Sequence, residues 1–281
     1  MKQNFFTLSA LMLAIVACGF FTPVVPTPST SVQTATPTPV PIPTNTPITT
    51  GSTVVLNNVT ISIPKGLAND ALLDMVSAAT DPNTPPWDLA PAHLEFTLTG
   101  YQLQNRFHQP KIYVYPANEY AQAMPTVTEQ IKRIQNILAG SPLSKETMPN
   151  VPFFNAGPLI ASNMQVLGFQ SGGGVRMLTE YAQYPATINN YELFYHFEGL
   201  TSDGKYYIVA IMPVTAPILA EDDKPDATIP PGGVPITADT GPDDAYYASV
   251  TEKLNSIPPD AFTPSLTVLD ALIRSIIVTV P

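Results

Sequence analysis

Tyr191-Glu192-Leu193-Phe194-Tyr195-His196-Phe197-Glu198-Gly199-Leu200-Thr201-Ser202-Asp203-Gly204-Lys205-Tyr206-Tyr207-Ile208-Val209-Ala210-Ile211-Met212 holds two apolar-rich runs, 191–200 and 205–212, joined by a short polar link. Thr-Ser-Asp-Gly between two such runs is a strong β-hairpin signal. The second run is apolar on both faces from Tyr206 to Met212. A strand of that kind is expected near the middle of a sheet, covered on both sides. Consecutive hairpins pair antiparallel, which argues against a βαβ parallel sheet.

Working towards the N-terminus, Gly172-Gly173-Gly174 reads as a turn needing left-handed backbone, between strands at 164–170 and 175–183. A helix is expected over 125–139, where Val127, Ile131, Ile134 and Leu138 recur at helical spacing. Pro125 stands at its first turn and Gly140 just past its end. Residues 111–115 form a short strand stopped by Pro116. Residues 93–99 alternate, with Leu94, Phe96 and Leu98 on one face and His93, Glu95, Thr97 and Thr99 on the other. Residues 66–79 read as a short helix, and Val59-Thr60-Ile61-Ser62-Ile63 as a strand with a hairpin partner at 54–56. Towards the C-terminus, 218–241 is an acidic loop rich in Pro and Gly. Two helices follow, one over about 243–256. In the other, Thr263 caps, Pro264 opens, and Leu269, Leu272, Ile273, Ile276 and Ile277 make one apolar stripe. The fold expected for 51–281 is a single α+β domain: an antiparallel meander sheet covered by helices, an α/β/α sandwich.

The run Gly174-Val175-Arg176-Met177-Leu178-Thr179-Glu180-Tyr181-Ala182-Gln183, followed by Ile188-Asn189-Asn190 and by 197–207, resembles a group of exported bacterial lipoproteins with no assigned activity. The resemblance covers about 112–219 and implies export without implying a reaction. The element order is also similar to the PsbP-like α/β/α sandwich, a likeness of architecture alone.

The front of the chain carries an address. Lys2 precedes an almost wholly apolar stretch at 5–16. That is too short to span a bilayer core of about 30 Å as a helix, but it fits a secretory signal. It ends in Ile15-Val16-Ala17-Cys18, which resembles the bacterial lipoprotein signal and implies cleavage after Ala17 and acylation of Cys18. The plainer reading is a secretory signal with an incidental cysteine. Lipidation is favoured because the only Cys in the chain stands at that position. Residues 1–17 are then the signal peptide and 18–50 the lipidated Cys and its tether. Residues 22–50 hold 10 Thr and 8 Pro and no charge, which forbids helix or central strand and suits an extended spacer of roughly 90 Å. Sugars on its Thr residues are an alternative to a bare spacer.

Composition narrows the chemistry. The net charge is −10, from 12 Lys+Arg against 22 Asp+Glu, with one Cys in 281 residues. Such a chain repels a phosphate backbone, so no nucleic-acid partner is expected. One Cys can form neither an internal disulfide nor a thiolate zinc site. No Gly-rich phosphate loop or nucleophile elbow occurs, and no cofactor is expected. Gln170-Ser171-Gly172-Gly173 faintly resembles a serine-protease motif but lacks its first Gly and its Asp.

Two doublets, His93-Leu94-Glu95 and His196-Phe197-Glu198, each place His and Glu on one side of a strand. On neighbouring strands in register they would offer two imidazoles and two carboxylates to a zinc-like ion. The simpler reading makes them the polar halves of two alternating strands, on different or poorly aligned strands. Glu221-Asp222-Asp223 with Asp226 offers carboxylates without the alternation of an EF-hand loop. Arg176 pairs on its strand with Glu180 or clamps an anion. Trp87, in a Pro-rich loop, is the best single recognition residue; Tyr113, Tyr115, Tyr195, Tyr206 and Tyr207 on strands read mainly as packing. The function expected is a lipoprotein of the bacterial cell envelope, anchored on the extracytoplasmic side. It carries a non-catalytic binding domain for an envelope protein, glycan or small ligand. The alternative is an extracytoplasmic hydrolase, metal-assisted through the His-x-Glu pairs.

Overall fold

The structure, a computed structural model, describes residues 49–81, 83–151, 155–224, 226–237 and 241–279. The signal stretch, Cys18 and all but the end of the Thr/Pro-rich segment lie outside the described residues. All described residues fall in one unit of the chain.

Along the chain run β1 (Thr50–Leu56), β2 (Val59–Pro64), β3 (Asp70–Val76), β4 (His93–Thr99), β5 (Lys111–Pro116), α1 (Ala117–Ala123) and α2 (Thr126–Leu138). Then come β6 (Gly157–Pro158), β7 (Ser162–Phe169), β8 (Gly172–Thr179), β9 (Tyr181–Ala182), β10 (Phe194–Thr201) and β11 (Tyr206–Pro213). The chain closes with α3 (Asp244–Ser256), α4 (Leu266–Arg274) and β12 (Ile277–Val278).

Seven strands make one antiparallel sheet in the order β3-β4-β5-β11-β10-β8-β7. It is two meanders, β3-β4-β5 and β7-β8-β10-β11, joined where β5 pairs with β11. β11 is therefore the middle strand, and six of its eight positions are apolar and fully covered, as its two-sided hydrophobicity requires. Gly204, with φ of 71°, closes the β10–β11 turn, and Asp203 accepts from the Lys205 amide at 3.0 Å. A smaller sheet, β1-β2-β12, packs with α3 and α4 on one face of the large sheet. α1 and α2 cover the other face. The result is α+β, with helices on both sides of an antiparallel sheet.

Several local expectations change. Residues 66–79 carry no helix: β3 lies there, as an edge strand registered against β4. Its adjacent Leu72 and Leu73 give no strand alternation, and Leu72 and Met75 stay 65% and 68% exposed, so pairing decides the conformation and burial does not. The triple glycine is not a turn. Gln170-Ser171 make the turn, and Gly172-Gly173-Gly174 begin β8 without left-handed φ. The buried side of α2 is Val127, Gln130, Ile134 and Ile137, with Ile131 half-buried and Leu138 exposed. The last helix is capped by Ser265, whose hydroxyl accepts from the Thr267 amide at 3.2 Å, and not by Thr263. It ends at Arg274, so Ile277 belongs to β12.

Candidate functional site

The two-residue period of β4 and β5 builds one wall of a cleft. Glu95 sits opposite Tyr113 and Thr97 opposite Lys111, so Glu95, Lys111, Tyr113 and Tyr115 share a face. That face continues through Tyr207 on β11 to His196 and Glu198 on β10. Immediately after Pro116 the chain turns into α1 and lays Tyr120 on Tyr115, with ring centroids 4.1 Å apart and planes 18° apart. Tyr113 and Tyr115 are also parallel, at 6.0 Å and 9°. Three tyrosines therefore form a fixed stack, and His93 leans on it 4.4 Å from Tyr115.

Two loops complete the cleft. The β3–β4 loop is pinched at its neck by paired backbone bonds between Ala79 and Ala90, of 2.9 and 3.1 Å. Its turn at 85–88 carries Trp87, half-buried, over the sheet. The β4–β5 loop brings Phe107 and His108. The open cleft has a volume of about 350 Å³ and is lined by Trp87, His93, Glu95, His108, Lys111 and Tyr113 among others. A second hollow of about 610 Å³ adjoins it: Trp87 and Leu89 line both.

Three polar side chains of the cleft, His93, Glu95 and Lys111, are tied to one another. Lys111 Nζ donates to Glu95 Oε2 at 2.7 Å. His93 Nδ1 donates to the Pro91 carbonyl at 2.8 Å, which turns Nε2 towards Glu95 Oε1 at 3.4 Å. The His93 contact first, and Lys111 after it, holds the Glu95 carboxyl below its ordinary range against the opposing effect of burial. Burial, reinforced by the field of His196, pushes His108 down to about 4, so this imidazole is neutral at pH 7. It packs 4.4 Å from Phe194.

Beneath the cleft lies a second polar group. His196 faces its own Glu198 at 3.1 Å, Glu198 accepts from the Val151 amide at 2.8 Å, and the Tyr207 hydroxyl donates to its other oxygen. Both His196 and Glu198 are 1% exposed. The expectation that the His-x-Glu doublets are merely the polar, non-core halves of two alternating strands is therefore corrected. α1 and α2 bury that face, and the polar groups there are satisfied by one another and by the Val151 amide. The doublets do share a face, but β5 and β11 stand between β4 and β10. At the usual strand spacing that separates them by about 14 Å. Each imidazole meets its own glutamate, and among the described residues no group of three or more His, Cys, Asp or Glu is placed to hold a metal ion.

Arg176 lies on the opposite face, buried under α4. Its Nε is 3.2 Å from Asp270 Oδ1, its Nη2 donates to Gln165 at 2.8 Å, and its Nη1 donates to the Asn163 carbonyl. The Tyr195 hydroxyl donates to the same Asp270 oxygen at 2.9 Å. Its ion-pair partner is thus Asp270 across the layers, in place of the expected Glu180. A guanidinium spent on three protein acceptors offers nothing to an outside anion. Ser171 accepts from the Val278 amide at 2.9 Å and serves the turn. Glu221 pairs with Arg106, and Asp222 with Lys224.

Trp87 thus stands at the junction of the two hollows, and His93 and Glu95 line the smaller one. Sequence reasoning missed His108, Lys111 and Tyr120. Lys111 had a signal in its period-two spacing with Tyr113 and Tyr115; His108 and Tyr120 come from a loop and a short helix with no local mark. No helix among the described residues is long and apolar enough to cross a membrane. No family model, curated protein or solved structure matches this chain.

Proposed function

We propose that this chain is a lipoprotein of the bacterial envelope, held to the membrane through Cys18, whose domain binds a ligand in the cleft at Trp87 without transforming it. The cleft carries the reading. Rigid aromatic rings and a closed Lys–Glu pair suit recognition, and among the described residues no Ser or Cys nucleophile lines it beside a base. Replacing Trp87 and Gln183 with Ala should leave folding intact, since neither is a core residue, and should abolish retention of the ligand from envelope fractions. Equal retention by variant and wild type sinks the reading. The anchor is tested separately: Cys18→Ser should leave the protein unprocessed or free it from the membrane. A variant that is processed and sediments with membranes as before removes lipidation.

A further inference from the structure

We infer that the ligand is a neutral carbohydrate spanning more than one sugar ring, laid across Trp87 from one hollow to the other. This deepens the binding reading and rests on it.

Charge is the first argument. Lys111, the one Lys or Arg among the described residues lining the smaller hollow, is spent on Glu95, its Nζ donating to Oε2 at 2.7 Å, and Asp88 adds a second carboxylate. No uncompensated positive charge is left for a phosphate or carboxylate, and a chain of net charge −10 repels anions as a whole. The Tyr113 ring, which a quaternary ammonium would need, already has Lys111 Nζ 5.8 Å from its centroid. The larger hollow points the same way. Among the described residues its lining has no charged side chain, and its polar members are Thr126, Asn155 and Gln183.

The second argument is the pairing of donors with acceptors. An ammonium offers only donors and a carboxylate only acceptors, so Lys111 and Glu95 side by side match vicinal hydroxyls, each of which both donates and accepts. Amides at Asn155 and Gln183 repeat that dual character further along. The rings supply apolar faces and edges for the C–H surface of a sugar, and the stack behind Tyr113 fixes its ring in advance, which reduces the entropy lost on binding. The third argument is extent: two hollows meeting at one indole fit a chain better than a single compact molecule.

Trp87 is the only tryptophan of the chain, so tryptophan emission reads the cleft alone. The full-length protein in detergent is titrated with tetrasaccharides of glucose, mannose and N-acetylglucosamine, with tetragalacturonate, and with choline. A saturable change with at least one neutral tetrasaccharide is expected, insensitive to salt, with none from choline or tetragalacturonate. Tyr113→Ala should weaken that binding about tenfold or more, while Tyr113→Phe, which keeps the ring, should bind nearly as wild type. Should Tyr113→Ala fail to fold, Gln183→Ala, exposed in the other hollow, carries the same expectation. A response only to choline or only to the acidic sugar overturns the inference, as does silence towards every neutral sugar. Silence together with cleft-dependent retention of an envelope component removes the carbohydrate and leaves the binding module standing; loss of that cleft dependence removes both.

Discussion

Glu180 shows what a single buried carboxyl does to this protein. It is 0% exposed and accepts from the Asn189 backbone amide at 2.9 Å and the Asn189 side-chain amide at 3.3 Å. Burial pushes it up to about 9, with the fields of Glu192 and Asp223 adding to the effect and the Asn189 amide opposing it. The folded state therefore holds a proton that the unfolded chain, with an ordinary value of 4.5, releases. For an acid shifted upward, the stabilisation is whole below the unfolded value and is lost as the pH rises from there towards the folded one. Stability should accordingly decline between about pH 5 and pH 9. Glu180→Gln, which fixes the neutral form, should flatten that decline and raise the melting temperature at pH 8. Melting curves across this range decide it, and a variant with the wild-type slope would show that another group is responsible.

At the scale of elements, the pairing of β8 with β10 depends on glycine for closeness. Gly174 sits opposite Gly199. A Cβ on Gly174 would stand 2.2 Å from the Glu198 carbonyl oxygen and 2.5 Å from the Gly199 Cα. Those are backbone atoms, so no side-chain rotation can relieve the clash, and Gly174→Ala should cost on the order of 3 kcal/mol or more. Gly168 on the neighbouring β7 has its nearest atom at 3.9 Å, and Gly168→Ala should change stability by less than about 1 kcal/mol. Urea unfolding of the two variants tests the contrast; equal losses would refute the close-approach argument. These glycines also mark how far the sequence can be read. A Gly-Gly-Gly run says that a Cβ is unwelcome, but not whether a turn or a neighbouring strand excludes it. Elements whose signal is local were legible: the 206–212 run announced a central strand, Asn57-Asn58 a hairpin, and 244–256 a helix. β3 was not, because an edge strand covers little of itself and Leu72, Leu73 and Met75 carry no usable period. The cleft was half legible. Period two put His93 with Glu95 and the Pro-rich loop singled out Trp87, while the burial of that face depends on α1 and α2, whose packing there has no local mark in the sequence.

For the molecule as a whole, the two ends of the domain hold each other. β2 lies between β1 and β12, so strands from opposite ends of the fold share one small sheet. The Asn58 side chain donates to the Thr279 carbonyl at 2.8 Å across the same seam. Ending the chain after Ile276 removes that cover from β2 and should speed amide exchange through 50–64 while sparing β10 and β11, which have their own partners on both sides. Uniform protection in the truncated protein would mean that the seam contributes nothing. The same seam has a mechanical consequence. A pull arriving through residue 49 enters β1 at the open end of its hairpin, where Thr50 faces Pro64, and not at the closed end beside Asn57. β1 is mostly exposed, and on one side only β2 holds it in a ladder. Sideways tension would strip it one bond at a time, with β2 kept in place by β12. The strand would act as a sacrificial strip that yields under load, while the large sheet and the Trp87 cleft on its far face keep their shape.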